Sequence, residues 1–113
     1  MSDLRELRDA MRHFSRVRNW TRFHDPKSLI LALVGEVGEL SELFQWLPAD
    51  QAAQQASTGD LQRRAADEMS DVLLYLVRLA DVLEVDLGQA ATQKLKLASE
   101  KYEPGDDPDR YRH

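Results

Sequence analysis

The chain has 113 residues, 42% of them hydrophobic and 31% charged, which suits a single small domain with a modest core. Fifteen Lys and Arg against twenty Asp and Glu give a formal charge of −5, so no nucleic-acid partner held by a basic surface is expected. The absence of cysteine removes disulfides, thiol nucleophiles and zinc–thiolate or iron–sulfur sites, and with a charged start and no apolar run of roughly 20 residues the expected location is cytoplasmic, with no membrane partner.

Five Gly and four Pro punctuate segments whose apolar residues recur at three and four, so an all-α, four-helix domain is expected over 1–103. The first helix should follow Ser2 or Asp3 and run to about Arg18, with Leu4, Leu7, Met11 and Phe14 in one stripe. Asp25 before Pro26 is an N-cap followed by proline at the first helical position, predicting a second helix from Pro26 to about Trp46 or Leu47, halted by Pro48. Residues 48–59, polar, alanine-rich and closed by Gly59, read as a mobile connection with room for a short helical turn. Asp60 should cap a third helix from Leu61 to about Leu83. Asp86 should open a fourth that carries Leu87, Ala91, Leu95 and Ala98 inward and ends near Tyr102. Residues 104–113 are expected to be a frayed, flexible tail.

Glu36 and Glu39 lie three apart on the second predicted helix, and Glu68 and Asp71 three apart on the third, each pair about 60° apart around its axis. The second helix buries Leu29, Leu33, Val37, Leu40, Phe44 and Leu47 on this reading, which puts Glu36 inside the apolar arc and Glu39 at its edge. The third buries Ala65, Met69, Val72, Leu76, Leu79 and Leu83, with Glu68 at the boundary and Asp71 just beyond. Four carboxylates leaning into one seam repel one another and lose hydration, and a divalent cation resolves this. All-oxygen ligands favour a hard ion, Mg²⁺ with Mn²⁺ as substitute, which would also bridge an acidic protein to a polyphosphate. The alternative has these acids as surface groups balanced by Arg63, Arg64 and Arg78. A di-iron bundle fails, because the residues three past Glu36 and Glu68 are Glu39 and Asp71 rather than histidines.

Glu42, one turn further, reads as a second metal ligand, a water-orienting group or an exposed acid. Gly35 and Gly38 beside Glu36 suggest close approach by another helix or by a ligand. Trp20, Phe23, Trp46 and Tyr75 read as stacking positions for a nucleobase, with core or interface packing the alternative for Trp46 and Phe44. His24 reads as a hydrogen-bond partner of a base or sugar or as a local capping partner, and Lys94, Lys101 and Tyr102 as phosphate contacts or, for the lysines, solvated charges.

The runs Ala32-Leu-Val-Gly-Glu-Val-Gly-Glu-Leu40, Glu42-Leu-Phe-Gln-Trp46 and Asp67-Glu-Met-Ser-Asp-Val-Leu-Leu-Tyr-Leu-Val77 resemble the MazG-like, all-α nucleoside triphosphate pyrophosphohydrolases, most of all their dCTP pyrophosphatase branch. The resemblance implies Mg²⁺-dependent cleavage of dCTP, and of 5-modified dCTP, between the α- and β-phosphates. It implies Glu36, Glu39, Glu68 and Asp71 as metal ligands, Glu39 or Glu42 as the water-orienting base, and Trp20, His24, Trp46, Tyr75, Lys94, Lys101 and Tyr102 around the nucleotide. Met11, where the mammalian-type enzymes have histidine, and Ala98, where related sequences carry asparagine, bear on base selection, so dUTP or a broader set of triphosphates is the alternative substrate. A helical interaction module is the competing non-enzymatic reading. The family assembles as dimers or tetramers, and Leu73, Leu74 and Val77 make the third predicted helix apolar nearly all round, so a homo-oligomer, a tetramer, is expected.

Overall fold

The computed structural model describes residues 3–105, which form five α-helices and one 3₁₀ turn. These are α1 Asp3–Val17, the turn Thr21–Phe23, α2 Pro26–Glu42, α3 Ala49–Ala56, α4 Gly59–Val82 and α5 Leu87–Lys101. No helix among the described residues is long and apolar enough to cross a membrane. Ser2, one of the two expected caps of α1, and 106–113 of the expected tail lie outside the described residues.

Local chemistry accounts for most boundaries. Asp25 accepts the Ser28 backbone N–H at 2.9 Å and the Ser28 hydroxyl at 2.7 Å, and Pro26 opens α2 where its missing N–H costs nothing. Asp86 caps α5 by accepting from the Gln89 N–H at 3.1 Å. α1 and α4 both end in a Schellman pattern. Asn19 and Glu84 take left-handed φ of 57° and 58°, while the Trp20 N–H reaches the Ser15 carbonyl and the Val85 N–H the Ala80 carbonyl. Asparagine tolerates that conformation; glutamate is strained in it. Glu84→Gly should therefore raise stability by about 1 kcal/mol, read as a melting temperature several degrees higher. An unchanged or lower melting point would show that the Glu84 side chain contributes more than its backbone costs.

The described residues make five helices rather than the expected four. The expected mobile connection is instead largely the two-turn α3, because Pro48 sets its entry, Ala and Gln favour helix, and Ala52 and Ala56, four apart, are half-buried. α4 begins two residues earlier than expected. Thr58 stands at the cap, the left-handed Gly59 turns the chain, and Asp60 sits inside the first turn, paired with Arg63 at 3.3 Å. α2 ends at Glu42, and the chain continues through turns to Leu47.

α4 is the hub, packing against α2, α1 and α3, while α5 meets α1. Leu29, Ala65, Val77 and Ala80 are buried, and at the α1 surface the fully enclosed Ser15 donates its hydroxyl to the Met11 carbonyl at 2.8 Å. Several residues expected inside are not. Val37 and Met69 are exposed along an apolar groove with Leu40, Phe44, Ala56 and Ala65; Leu83 is exposed where α4 stops. Ala91 is exposed too, and Leu95 is 72% exposed because α5 leaves the body of the chain beyond its first turns. The radius of gyration, 17.0 Å, exceeds the roughly 13 Å of a compact domain of this length for the same reason.

Candidate functional site

The seam between α2 and α4 collects the acids. Glu36, Glu39 and Glu68 each place a carboxylate oxygen within 4.8 Å of the others, and Asp67, Glu68 and Asp71 form a second such group that shares Glu68. Glu36, Glu68 and Asp71 are half-buried, and Glu39 and Asp67 face solvent. The Oε2 atoms of Glu36 and Glu68 are enclosed and have no hydrogen-bond partner. Among the described residues no ion pair joins these acids to a cation. Arg63 is on Asp60, and Arg78 turns to Asp81 and His24, so the balanced-surface alternative does not describe this seam.

Buried carboxylate oxygens without donors are costly, and here the penalty shows in acidity. Burial, then the neighbouring Glu36 and Glu39 carboxylates, push Glu68 up to about 7. Burial likewise raises Glu36, with the charges of Glu39 and Asp71 acting in the same direction. A set of hard oxygen donors, two of them orphaned, fits a hard divalent cation such as Mg²⁺ or Mn²⁺. Asp67 was not singled out from the sequence. It stands four residues before Asp71, about 40° away around α4, so helical spacing already brings its carboxylate beside that group.

The other candidates are dispersed. Glu42 is exposed at the end of α2, outside both carboxylate groups. Tyr75 is half-buried on α4, one turn past Asp71. Trp20 packs edge-on against Phe14 at 5.4 Å between centroids. Trp46 is 87% exposed. Lys94 is exposed on α5; Lys101 lies over the half-buried Tyr102 ring at 5.3 Å. His24 accepts a hydrogen bond at Nδ1 from Arg78 Nε, at 3.0 Å. A Cβ added at Gly35 or Gly38 meets nothing within 4 Å, so none of the described residues makes the close approach those glycines suggested. A separate cleft of about 460 Å³ lies between the α1 arginines and Arg78 on one side and Asp81, Glu84 and Asp86 on the other; its charges nearly balance and it contains none of the clustered carboxylates.

Residues 24–106 match the model of the MazG nucleotide pyrophosphohydrolase domain. The chain belongs to the MazG family. Among curated proteins this MazG chain is 43% identical over 99 residues to dCTP pyrophosphatase 1 of Bos taurus and 41% identical over 99 residues to that of Homo sapiens. Each match covers 88% of the chain and 59% or 58% of the relative, so the chain spans under two thirds of their length. A solved structure of a pyrophosphatase from Archaeoglobus fulgidus DSM 4304 superposes with a TM-score of 0.80 at 33% identity, covering 90% of this chain and 94% of that one. The all-helical MazG fold expected from the motifs is therefore the fold adopted, with α3 as an additional helix.

Proposed function

We propose that this MazG chain is an Mg²⁺-dependent nucleoside triphosphate pyrophosphohydrolase that cleaves dCTP, and 5-modified dCTP, to the monophosphate and pyrophosphate, as a cytoplasmic enzyme that cleans the nucleotide pool. The observation that carries the reading is the convergence of Glu36, Glu39 and Glu68 with two enclosed, partnerless oxygens, in a chain similar to proteins named dCTP pyrophosphatase. Glu36, Glu39, Glu68 and Asp71 would hold Mg²⁺, with Mn²⁺ able to replace it. A bound divalent ion supplies charge neutralisation for the triphosphate and a template for in-line displacement. Glu39, the exposed member of its group, orients the attacking water and takes its proton, with Glu42, exposed at the end of α2, as the alternative base. The water oxygen bonds to the α-phosphorus, and the bond to the α–β bridging oxygen breaks, pyrophosphate leaving with the electron pair. Trp20, His24, Trp46 and Tyr75 serve the nucleoside, and Lys94, Lys101 and Tyr102 the phosphates. Most of these residues are dispersed in a single chain, and a homotetramer is the proposed form. It is supported by the exposed Ile30, Leu31 and Val34 on α2 and Leu95 and Leu97 on α5, and by the open shape of the chain.

The test is pyrophosphate release from dCTP, 5-methyl-dCTP, dUTP and the remaining triphosphates, with Mg²⁺ or EDTA, identifying the nucleotide product and the mass in solution. Metal-dependent dCMP formation from dCTP well above the other bases, by a species four times the 13.0 kDa chain, is expected. Similar rates on all bases would establish the broad-substrate alternative. No turnover, or release of orthophosphate, would overturn the reading.

A further inference from the structure

Arg78, a residue type that is solvated on most helices, is here 5% exposed and forked between two partners. Its Nη1 donates to Asp81 Oδ2 at 3.0 Å and its Nε to His24 Nδ1 at 3.0 Å. Asp81 also accepts from Arg12, Nε at 2.9 Å and Nη2 at 2.5 Å. The result is a half-buried chain, Arg12 to Asp81 to Arg78 to His24, that joins α1, α4 and the entry to α2.

A guanidinium has donors only, so the atom facing it must be a lone pair. His24 Nδ1 is therefore unprotonated, and the proton of the neutral ring resides on Nε2. Protonating Nδ1 would set an N–H against an N–H beside a full positive charge. Burial, then the Arg78 charge, accordingly hold His24 below the ordinary histidine range. The groups facing this assembly are Arg12, Asp81 and Arg78. With one carboxylate between two guanidinium groups, the local charge opposes a second cation at the ring.

The position of the chain on α4 connects it to the carboxylates. Glu68, Asp71, Tyr75 and Arg78 fall within an arc of about 80° on the helix, and Arg78 lies about 10 Å along the axis from Asp71. His24 is thus held on the carboxylate side of α4, beyond Tyr75. We propose that Arg78 is a positioning residue for nucleotide recognition: it locks His24 as the Nε2–H tautomer, so the ring meets the nucleotide only as a hydrogen-bond donor and selects an acceptor atom, a base carbonyl or ring nitrogen or a sugar or phosphate oxygen. The lock stands on this geometry alone; its use in recognition rests on the pyrophosphohydrolase reading.

The experiment is long-range ¹H–¹⁵N NMR of the histidine rings in the full-length ¹⁵N-labelled protein at pH 7.5, with His24 assigned by its loss in His24→Gln. A pyridine-like Nδ1 and a pyrrole-like Nε2 are expected. Arg78→Lys keeps a cation beside Asp81 while removing the planar fork, and should return His24 to a mixture of tautomers. With the substrate turned over best, Arg78→Lys should raise KM about 10-fold with kcat within about twofold, the loss of one hydrogen bond made equally in ground and transition states. On the His24→Gln background the same substitution should add nothing. A wild-type His24 protonated on Nδ1 overturns the lock, and that measurement needs no variant to fold. An Arg78→Lys effect undiminished by His24→Gln overturns the positioning role. Absence of any triphosphate turnover alongside the Nε2–H tautomer strikes the pyrophosphohydrolase reading and the recognition role with it, while the lock itself stands.

Discussion

Glu68→Gln should lower Mg²⁺-dependent triphosphate hydrolysis by about 10³-fold or more, because Glu68 is the one side chain common to both carboxylate groups. The helical fold should survive, since glutamine has the same shape and is not repelled by Glu36 and Glu39. For the unsubstituted protein, Mg²⁺ at 100 times its dissociation constant should raise the melting temperature on the order of 10 °C, and Glu68→Gln should erase that rise. The metal-free protein carries a pH signature of its own. Glu68 in the fold titrates at about 7, above its ordinary value of 4.5, so its contribution is most favourable below the ordinary value and is lost as pH rises through 7. In EDTA, melting points taken from pH 5 to 8 should fall for the native chain and fall less for Glu68→Gln. Full Mg²⁺-dependent turnover by the variant would remove Glu68 from the metal site. Equal slopes in EDTA would show that the seam carries no electrostatic strain.

Asp81→Asn should be the most destabilising conservative change, about 3–5 kcal/mol, or a fall in melting temperature of 10 °C or more. Arg78 and Asp81 are both nearly enclosed, and Asp81 is the only anion within salt-bridge distance of Arg78 among the described residues. Without it Arg78 remains as a buried cation facing only a neutral imidazole, and α1 loses its Arg12 tie to α4. The Arg12 hydrogen bonds, helped by the Arg12 and Arg78 charges, hold the Asp81 carboxyl below its ordinary value of 3.8. Its contribution is therefore present above that value and lost as pH falls through the lowered one, the opposite sense to Glu68. The metal-free protein should accordingly be most stable in mild acid. Arg5→Ala, which breaks the more exposed pair with Asp86, is the comparison and should have a much smaller effect. If Asp81→Asn melted no earlier than Arg5→Ala, the buried chain would be dispensable for stability.

Much of this was legible residue by residue. Asp25 with Pro26 and Asp86 announce helix starts through bonds made within three residues, and the structure makes them. Glu36, Glu39, Glu68 and Asp71 point to one seam because helical spacing alone sets the faces of α2 and α4. The sequence allows a short helical turn at α3 but does not reveal its full two turns, because alanine and glutamine mark no apolar stripe, only a propensity that packing against α4 completes. Arg78 was misread because an arginine in an amphipathic helix is normally solvated, and nothing local reveals an Asp81 shared with Arg12, 69 residues away in the chain.

The sequence by itself determined the helical class, most boundaries and the acids to be gathered, since periodicity and caps act within a few residues. Tertiary structure alone decided that Gly35 and Gly38 have no close neighbour among the described residues, and that Leu95 faces outward while Arg78 faces inward. A residue's face follows from its own helix, but what meets that face is set by long-range packing, which no local pattern encodes.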